Sequence, residues 1–582
     1  MKFFHVYRHD WVEGLEKNGL LNSESGFKLQ HNFPIPKNFL FNEYAAKGTP
    51  FHRLITENKI PFYVDRLAGG TTYMPSYTFD KALIEEYKNA LGDEFLGFQL
   101  HESASNRRGH DWAPIVRATG KKSGFTAEEI REKLISKYAV TADGERLVGL
   151  SQGTPEEYAA LRFPETVKEF TDDVRNFYKA RMEATGGCIL PVDSMFLFTK
   201  MQDELGMKVF MPEVGQQISL TRLAVATARG IARSARKKWG TYYECWRADW
   251  FPKTKTVAYS MPCFSKDFFN EWHLTQANHP DDFTTHGIFG GCSRLLQERI
   301  YYHSLLSGAD YMSEEWGFRS SYYDTHDYAL TPYGELKKRF IGDSLKIGKV
   351  QAVTPFALVL PLDCPCVETT DRLLTHRIGD RRGKYMLNIE LSPTETEYYG
   401  HIDNMYTLLF NRTEDTYGNE SHSLTNGLFG DVFDVIYEDA SDETLSRYAY
   451  LIDATKESKF AKAKAGQGYK ILESTDIYAL KAELDRLIPE AMPVFVDGLH
   501  WLVSLAEDGR RYLTIFNNEG NERSSDTGDC INHDYDKRVT VTLKDGDLAL
   551  YKPANGEMNI EKVDDLTYRV TVPAADFAIF TF

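Results

Sequence analysis

The chain is poor in the features that mark several protein classes. Its 582 residues hold seven cysteines, at 188, 245, 263, 292, 364, 366 and 530. An odd count without framework spacing does not describe a disulfide-stapled scaffold; it fits a reducing compartment, so a cytoplasmic location is expected. Cys364 and Cys366 form the one close pair, and no second pair completes a four-ligand zinc site, so the pair reads as structural. No run of 18 apolar residues occurs, and no membrane-spanning helix is expected. The opening stretch MKFFHVYRHDWVEGLEK is broken by His5, Arg8, His9 and Asp10 and lacks the apolar core of a secretion signal. Basic charge is also in deficit: 68 Lys and Arg face 84 Asp and Glu, a net charge of −16. A nucleic-acid binder needs a basic surface, so nucleic acid is not an expected partner. The excess acid is spread along the chain and serves solubility. A nucleotide site would show a glycine fingerprint at a strand-to-helix turn, and Gly466-Gln467-Gly468 precedes a strand instead.

Aromatic residues, by contrast, are plentiful at 13%. They fit a large, filled core and also supply flat faces on which sugar rings stack. Over the first 350 residues, short apolar runs alternate with helix-length amphipathic segments, the pattern of β/α units around a parallel sheet. Eight strands are predicted, over 3–8, 27–33, 61–66, 95–102, 188–193, 208–213, 240–245 and 310–315. Helices are predicted over 80–91, 194–205, 218–238, 293–307 and 331–347. Two longer excursions, 103–187 and 246–292, follow the carboxyl ends of the fourth and seventh strands, where an eight-stranded β/α (TIM) barrel hangs its active-site loops. Beyond 350, strands over 356–361, 433–437, 450–454 and 469–473, with helices near 402–410, 441–448 and 475–488, read as a small open α/β domain. From 493 to 582, alternating runs read as a β-sandwich.

Four predicted barrel strands end in acid: Glu102, Glu213, Glu244 and the pair Glu314-Glu315. Any one alone is more often a salt-bridge carboxylate than a catalytic one. Together they matter, because strand ends in this fold share one bowl and glycosidic hydrolysis needs two carboxyl groups there. Trp246, Trp250 and Trp316 lie just past strands seven and eight and are candidate stacking platforms, with Trp112 as a rim residue. Arg8, Asp65, Arg66 and His101 project from strand ends, either to bind hydroxyls or to tie the mouth together.

The run FLGFQLHE, ending at Glu102 on strand four, and WGTYYE, ending at Glu244 on strand seven, resemble the corresponding motifs of clan A glycoside hydrolases. The three regions in order (1–350, 351–492, 493–582) resemble the plan of family 42, mostly β-galactosidases: a barrel, a flavodoxin-like trimerisation domain and a C-terminal β domain. The segment 294–312 is similar to that family's approach to strand eight. The resemblance implies a retaining, exo-acting β-glycosidase with no cofactor, acting on an oligosaccharide or glycoside and assembled as a homotrimer. It implies Glu102 as general acid/base and Glu244 as nucleophile, with His101, Glu213, Glu315, Trp246, Trp316, Arg8 and Asp65 around the sugar. Two departures, His101 where the clan has Asn and the absence of a cysteine-ligated zinc cluster, point to a neighbouring family of the clan. If 310–315 is strand seven, Glu315 becomes the nucleophile with Glu213 as its partner. Glu213 is also a candidate to hold Arg229, and Glu314 an alternative substrate contact. The rival from another class is a non-catalytic carbohydrate-binding protein on the same barrel; an isomerase or lyase would want a metal-ligand cluster or phosphate loop.

Overall fold

Short aromatic and β-branched runs form eight parallel strands in the computed structural model. It describes residues 1–7, 9–30, 41–68, 78–101, 124, 126, 166–193, 198–215, 221–244, 250–251, 256–257, 293–315, 321–322, 326–363, 393–410, 424–524 and 528–582. The strands are β1 Lys2–Tyr7, β2 Ser25–Gln30, β3 Phe62–Ala68, β4 Phe95–His101, β5 Ile189–Val192, β6 in two pieces (Val209–Phe210 and Glu213–Gly215), β7 Lys238–Glu244 and β8 Tyr311–Glu314. They pair in parallel in the order β5-β4-β3-β2-β1-β8-β7-β6. Between the two ends of that order, the Glu213 N–H donates to the Asp193 carbonyl at 3.1 Å. The sheet is a nearly closed eight-stranded β/α barrel, and each predicted strand overlaps an observed one.

Alternation turns one side chain in two inward. Phe4, Tyr63, Leu96, Leu190, Val192, Val209, Met211, Tyr242 and Tyr311 make one buried cluster inside the barrel, a filled core and not a pore. At its amino end Lys238 donates to Glu94 at 2.8 Å and to the Tyr311 hydroxyl at 2.9 Å.

Strand β4 carries a bulge. Phe62 pairs with Phe95, but Tyr63 pairs with Gly97, which leaves one residue over. Gly97 adopts φ +98°, and a Cβ there would stand 2.6 Å from the Cys188 carbonyl oxygen, so only glycine fits. The extra residue resets the alternation. Leu96 faces the interior, Phe98 and Leu100 face the outer core, and His101 packs across the interior against the Tyr242 ring at 5.7 Å.

Around the barrel, helices begin where short polar side chains satisfy free N–H groups. Helix α1, Val167–Ala184, was not expected inside the excursion 103–187, yet Thr166 and Glu169 form a full capping box at its start. Helix α2, Thr221–Ala235, is buried on every side from Thr221 to Ala232. Helix α3, Arg294–Leu306, starts at Ser293, whose Oγ accepts from the Leu296 N–H; helix α4, Pro332–Ile347, starts at Thr331 with proline in its first turn.

Past residue 350, strands β9 Phe356–Leu360, β10 Phe433–Tyr437, β11 Tyr450–Asp453 and β12 Ile471–Glu473 form a parallel sheet in the order β10-β9-β11-β12. Two larger antiparallel sheets follow among the described residues. One joins Val350–Ala352, His500–Ala506, Arg511–Phe516, Phe577–Thr581 and Ala549–Lys552; the other joins Val494–Asp497, Lys537–Leu543, Thr567–Val572 and Asn559–Lys562.

Helix α2 explains its own burial by lying against β10. A Cβ on Gly230 would stand 2.1 Å from the Val435 carbonyl oxygen. From the same helix, Arg229 donates to Asp434 at 2.6 Å and Arg233 to the other Asp434 oxygen at 2.6 Å. Arg222 donates through Nε to Asp431 Oδ1 at 2.7 Å, while His303 of α3 and His500 of the antiparallel sheet each donate through Nε2 to Asp431 Oδ2 at 2.7 Å. Burial alone would raise the Asp431 carboxyl; Arg222 and the two imidazoles outweigh it and hold it well below the usual range. Burial, with Arg222 nearby, holds His500 down at about 4, so its ring is neutral at pH 7. One carboxylate thus joins the barrel, the approach to the parallel sheet and the antiparallel sheet.

Candidate active site at the barrel mouth

Toward the carboxyl ends of the strands the inward positions change from apolar to ionisable. Lys28 (β2), Asp65 (β3), His101 (β4), Glu213 (β6) and Glu315 (just past β8) are all buried, none more than 2% exposed. Charges taken out of water are costly unless they are paired, so five such groups in one place mark a site and not ordinary packing.

The strands place them as follows. His101 Nε2 lies 3.0 Å from Glu315 Oε1, and His101 Nδ1 lies 3.4 Å from the Gln99 amide nitrogen. One ligand atom each of His101, Glu213 and Glu315 falls within 4.8 Å of the others. On the β2 side, Lys28 Nζ donates to the Glu315 carbonyl at 2.6 Å and to the Glu314 carbonyl, and stands 3.8 Å from Asp65 Oδ2. The Tyr242 hydroxyl donates to the Glu315 carbonyl at 3.4 Å.

Two adjacent acids part company here. Glu315 meets His101 inside the barrel, whereas Glu314 turns outward, accepting from Lys337 Nζ at 2.7 Å, from Gln297 Nε2 at 3.1 Å and from the Tyr301 hydroxyl. The Glu314 carboxylate thus ties β8 to α3 and α4. Glu213 does not hold Arg229, which belongs to Asp434. The segment 310–315 is strand eight, between β1 and β7, which removes the count that made it strand seven.

Of the residues expected around the sugar, the structure brings His101, Glu213 and Glu315 together, with Asp65 reached through Lys28. Glu244 is the last residue of β7, its backbone opposite Gly215 of β6. Glu102, Arg8, Trp246, Trp316 and Trp112 lie outside the described residues, as does the Cys364–Cys366 pair. Lys28 was not foreseen. Its signal was available: it sits between Phe27 and Leu29, both of the outer core, and so at an inward position where an apolar residue is the norm.

An imidazole and two carboxylates are a donor set that suits a divalent cation, so His101, Glu213 and Glu315 are the residues that would hold one. The 3.0 Å His101–Glu315 contact is equally a hydrogen bond in its own right. The second such trio, His303, Asp431 and His500, fits a metal poorly. Its N···O contacts of 2.7 Å are shorter than the roughly 3.3 Å between neighbouring donors around tetrahedral zinc. Arg222 also occupies the other oxygen of Asp431.

No family model matches the chain, and no curated protein matches it. Among solved structures, it is similar to alpha-L-fucosidase isoenzyme 2 from Paenibacillus thiaminolyticus, at 11% identity and TM-score 0.41, covering 99% of this chain and 96% of that one. It is also similar to GH5_18 from Bifidobacterium longum subsp. longum in complex with Manβ1-4GlcNAc, at 9% identity and TM-score 0.33, covering 78% and 96%. A third is an alpha-amylase from H. orenii, at 10% identity and TM-score 0.30, covering 100% and 99%. Likenesses this low carry no argument about activity.

Proposed function

We propose that the chain is a retaining glycoside hydrolase that cleaves β-linked glycosides from a chain end, with Glu244 as nucleophile and Glu102 as general acid/base. The observation that supports it best is the meeting of His101, Glu213 and Glu315, from strands far apart in sequence, in one buried cluster at the carboxyl end of the barrel. His101 directly precedes Glu102, and Glu244 closes the strand between β6 and β8. Active sites of this fold are built at that end.

In the proposed reaction Glu244 attacks the anomeric carbon while Glu102 protonates the departing oxygen; Glu102 then draws a proton from water as the glycosyl-enzyme is hydrolysed. Glu213, Glu315, His101 and Asp65 line the sugar side, and the resemblance assigns Arg8, Trp246 and Trp316 to the substrate as well. A galactoside is the first substrate class to try, by the family 42 resemblance. The same resemblance makes the parallel sheet β9–β12 a flavodoxin-like, trimer-forming domain and the antiparallel sheets a β-sandwich, in a cytoplasmic enzyme; the strand order β10-β9-β11-β12 supports the flavodoxin-like reading.

A second reading has a specific observation behind it. One carboxylate oxygen each of Glu213 and Glu315 lies within 4.8 Å of the other in the buried cluster, so this pair too offers the two carboxyl groups that glycosidic hydrolysis requires. Trapping with activated fluoro-sugars and mass spectrometry separates the two. A label on Glu244, with turnover lost in Glu244→Gln and the fold intact, supports the first; a label on Glu213 or Glu315 supports the second. No label and no turnover with any nitrophenyl glycoside overturns both in favour of a carbohydrate-binding protein.

A further inference from the structure

We infer that Lys28 is a positioning residue of the mouth: its buried ammonium group captures the end of β8 and so holds Glu315, which the strand's alternation turns inward, against His101. The positioning stands on contacts described above; only its effect on turnover rests on the glycosidase reading.

Lys28 lies on β2, and β1 separates β2 from β8, so its side chain spans the barrel interior to reach the end of β8. Successive carbonyls along a regular strand point to opposite sides. A single Nζ that donates to the carbonyls of both Glu314 and Glu315 therefore holds the chain out of strand geometry at the residue where β8 ends. The Glu315 N–H still donates to the Tyr243 carbonyl at 2.8 Å, so Glu315 is gripped by β7 through its amide and by Lys28 through its carbonyl. With both backbone groups tied, the side chain that alternation turns inward is held 3.0 Å from His101.

The third ammonium N–H faces Asp65, and the Tyr242 ring lies 5.6 Å beneath the charge. An ammonium group in a barrel interior is costly to desolvate, and an apolar side chain would fill the space at less cost. What the ammonium group provides is a fixed set of directed contacts, to two carbonyls at the end of β8 and to Asp65 on β3.

The test uses the full-length protein with Lys28→Met, Lys28→Arg and, as control, Lys337→Met, which strips the ammonium group from Glu314 on the outer side of the same strand. Crystal structures are compared, together with kcat and KM on a nitrophenyl glycoside turned over by the wild type. In Lys28→Met the His101–Glu315 contact should open, with kcat falling about 100-fold at little-changed KM, the cost of roughly an ångström of misplacement. Lys28→Arg should recover part of both effects. Lys337→Met should lower the melting temperature and leave the His101–Glu315 contact in place. An unchanged His101–Glu315 contact in Lys28→Met would overturn the inference. Should the wild type turn over no glycoside, the glycosidase reading falls alone, because the crystallographic comparison still decides the positioning. Should Lys28→Met fail to fold, Lys28→Arg answers instead: a contact held near 3.0 Å supports the role of the charge, and one that opens refutes it.

Discussion

Replacing Asp431 with asparagine should loosen all three sheets at once, and the structure sets the size of the effect. Both carboxylate oxygens are in use: Oδ1 accepts from Arg222, and Oδ2 accepts from His303 and His500, each contact at 2.7 Å. Asparagine has one acceptor oxygen, so either orientation of its amide faces an N–H with an N–H. Arg222 is 3% exposed and would lose its countercharge inside the protein. Removing one partner of a buried pair costs about 3–5 kcal/mol, a large part of the 5–15 kcal/mol that holds a typical domain together. With an m-value of about 3 kcal/mol/M in urea, the unfolding midpoint should drop by roughly 1–1.7 M. Urea titration followed in parallel by far-ultraviolet circular dichroism and tryptophan fluorescence measures it. A midpoint within about 0.3 M of wild type would refute the view that this carboxylate is a structural centre.

Acid should act through the same place. The His500 imidazole holds at about 4 when folded and near 6.5 when unfolded, so between those values the unfolded chain binds the extra proton. Stability therefore falls as pH drops from 6.5 to about 4, by roughly 3 kcal/mol from this residue at about 1.4 kcal/mol per pH unit. His5, held at about 3 by burial and the Lys337 charge, adds in the same direction. A melting temperature that rises on acidification through this window would contradict the assignment. Gly230→Ala should cost about 1–3 kcal/mol despite alanine's better helix propensity, because its Cβ would press on the Val435 carbonyl. A thermal melt at or above the wild-type value would show that α2 does not pack as closely as described.

The barrel was legible because each strand carries its own periodicity and its own punctuation. The run 95–101 is apolar almost throughout, and the Asp80 cap announces the helix before it. Helix α1 was passed over although its Thr166/Glu169 signature was in view, because a long excursion invites reading as loop. The acids at strand ends were visible as a set. What local sequence does not encode is what each one meets. Glu314 and Glu315 fall on opposite sides of β8, as alternation requires, and their lysine partners, Lys337 and Lys28, lie 23 and 287 residues away. Lys28 itself went unnoticed since a lone lysine in an apolar run reads as an edge or surface position until the strand is known to lie inside a barrel. Arg222, Arg229 and Arg233 likewise meet Asp431 and Asp434 across 201 to 209 residues of chain, which no local pattern reports.

The glycine at 97 has an effect out of proportion to its size. Beside Leu96, the spare residue in the β3–β4 register, it permits the bulge that shifts the phase of everything downstream on that strand. Delete one residue there and Phe98 and Leu100 would exchange sides with Gln99 and His101, filling the mouth with hydrocarbon and pushing an imidazole into the outer packing. The ionisable character of this end of the barrel thus depends on a residue with no side chain, roughly 13 Å of strand upstream of the imidazole it aims.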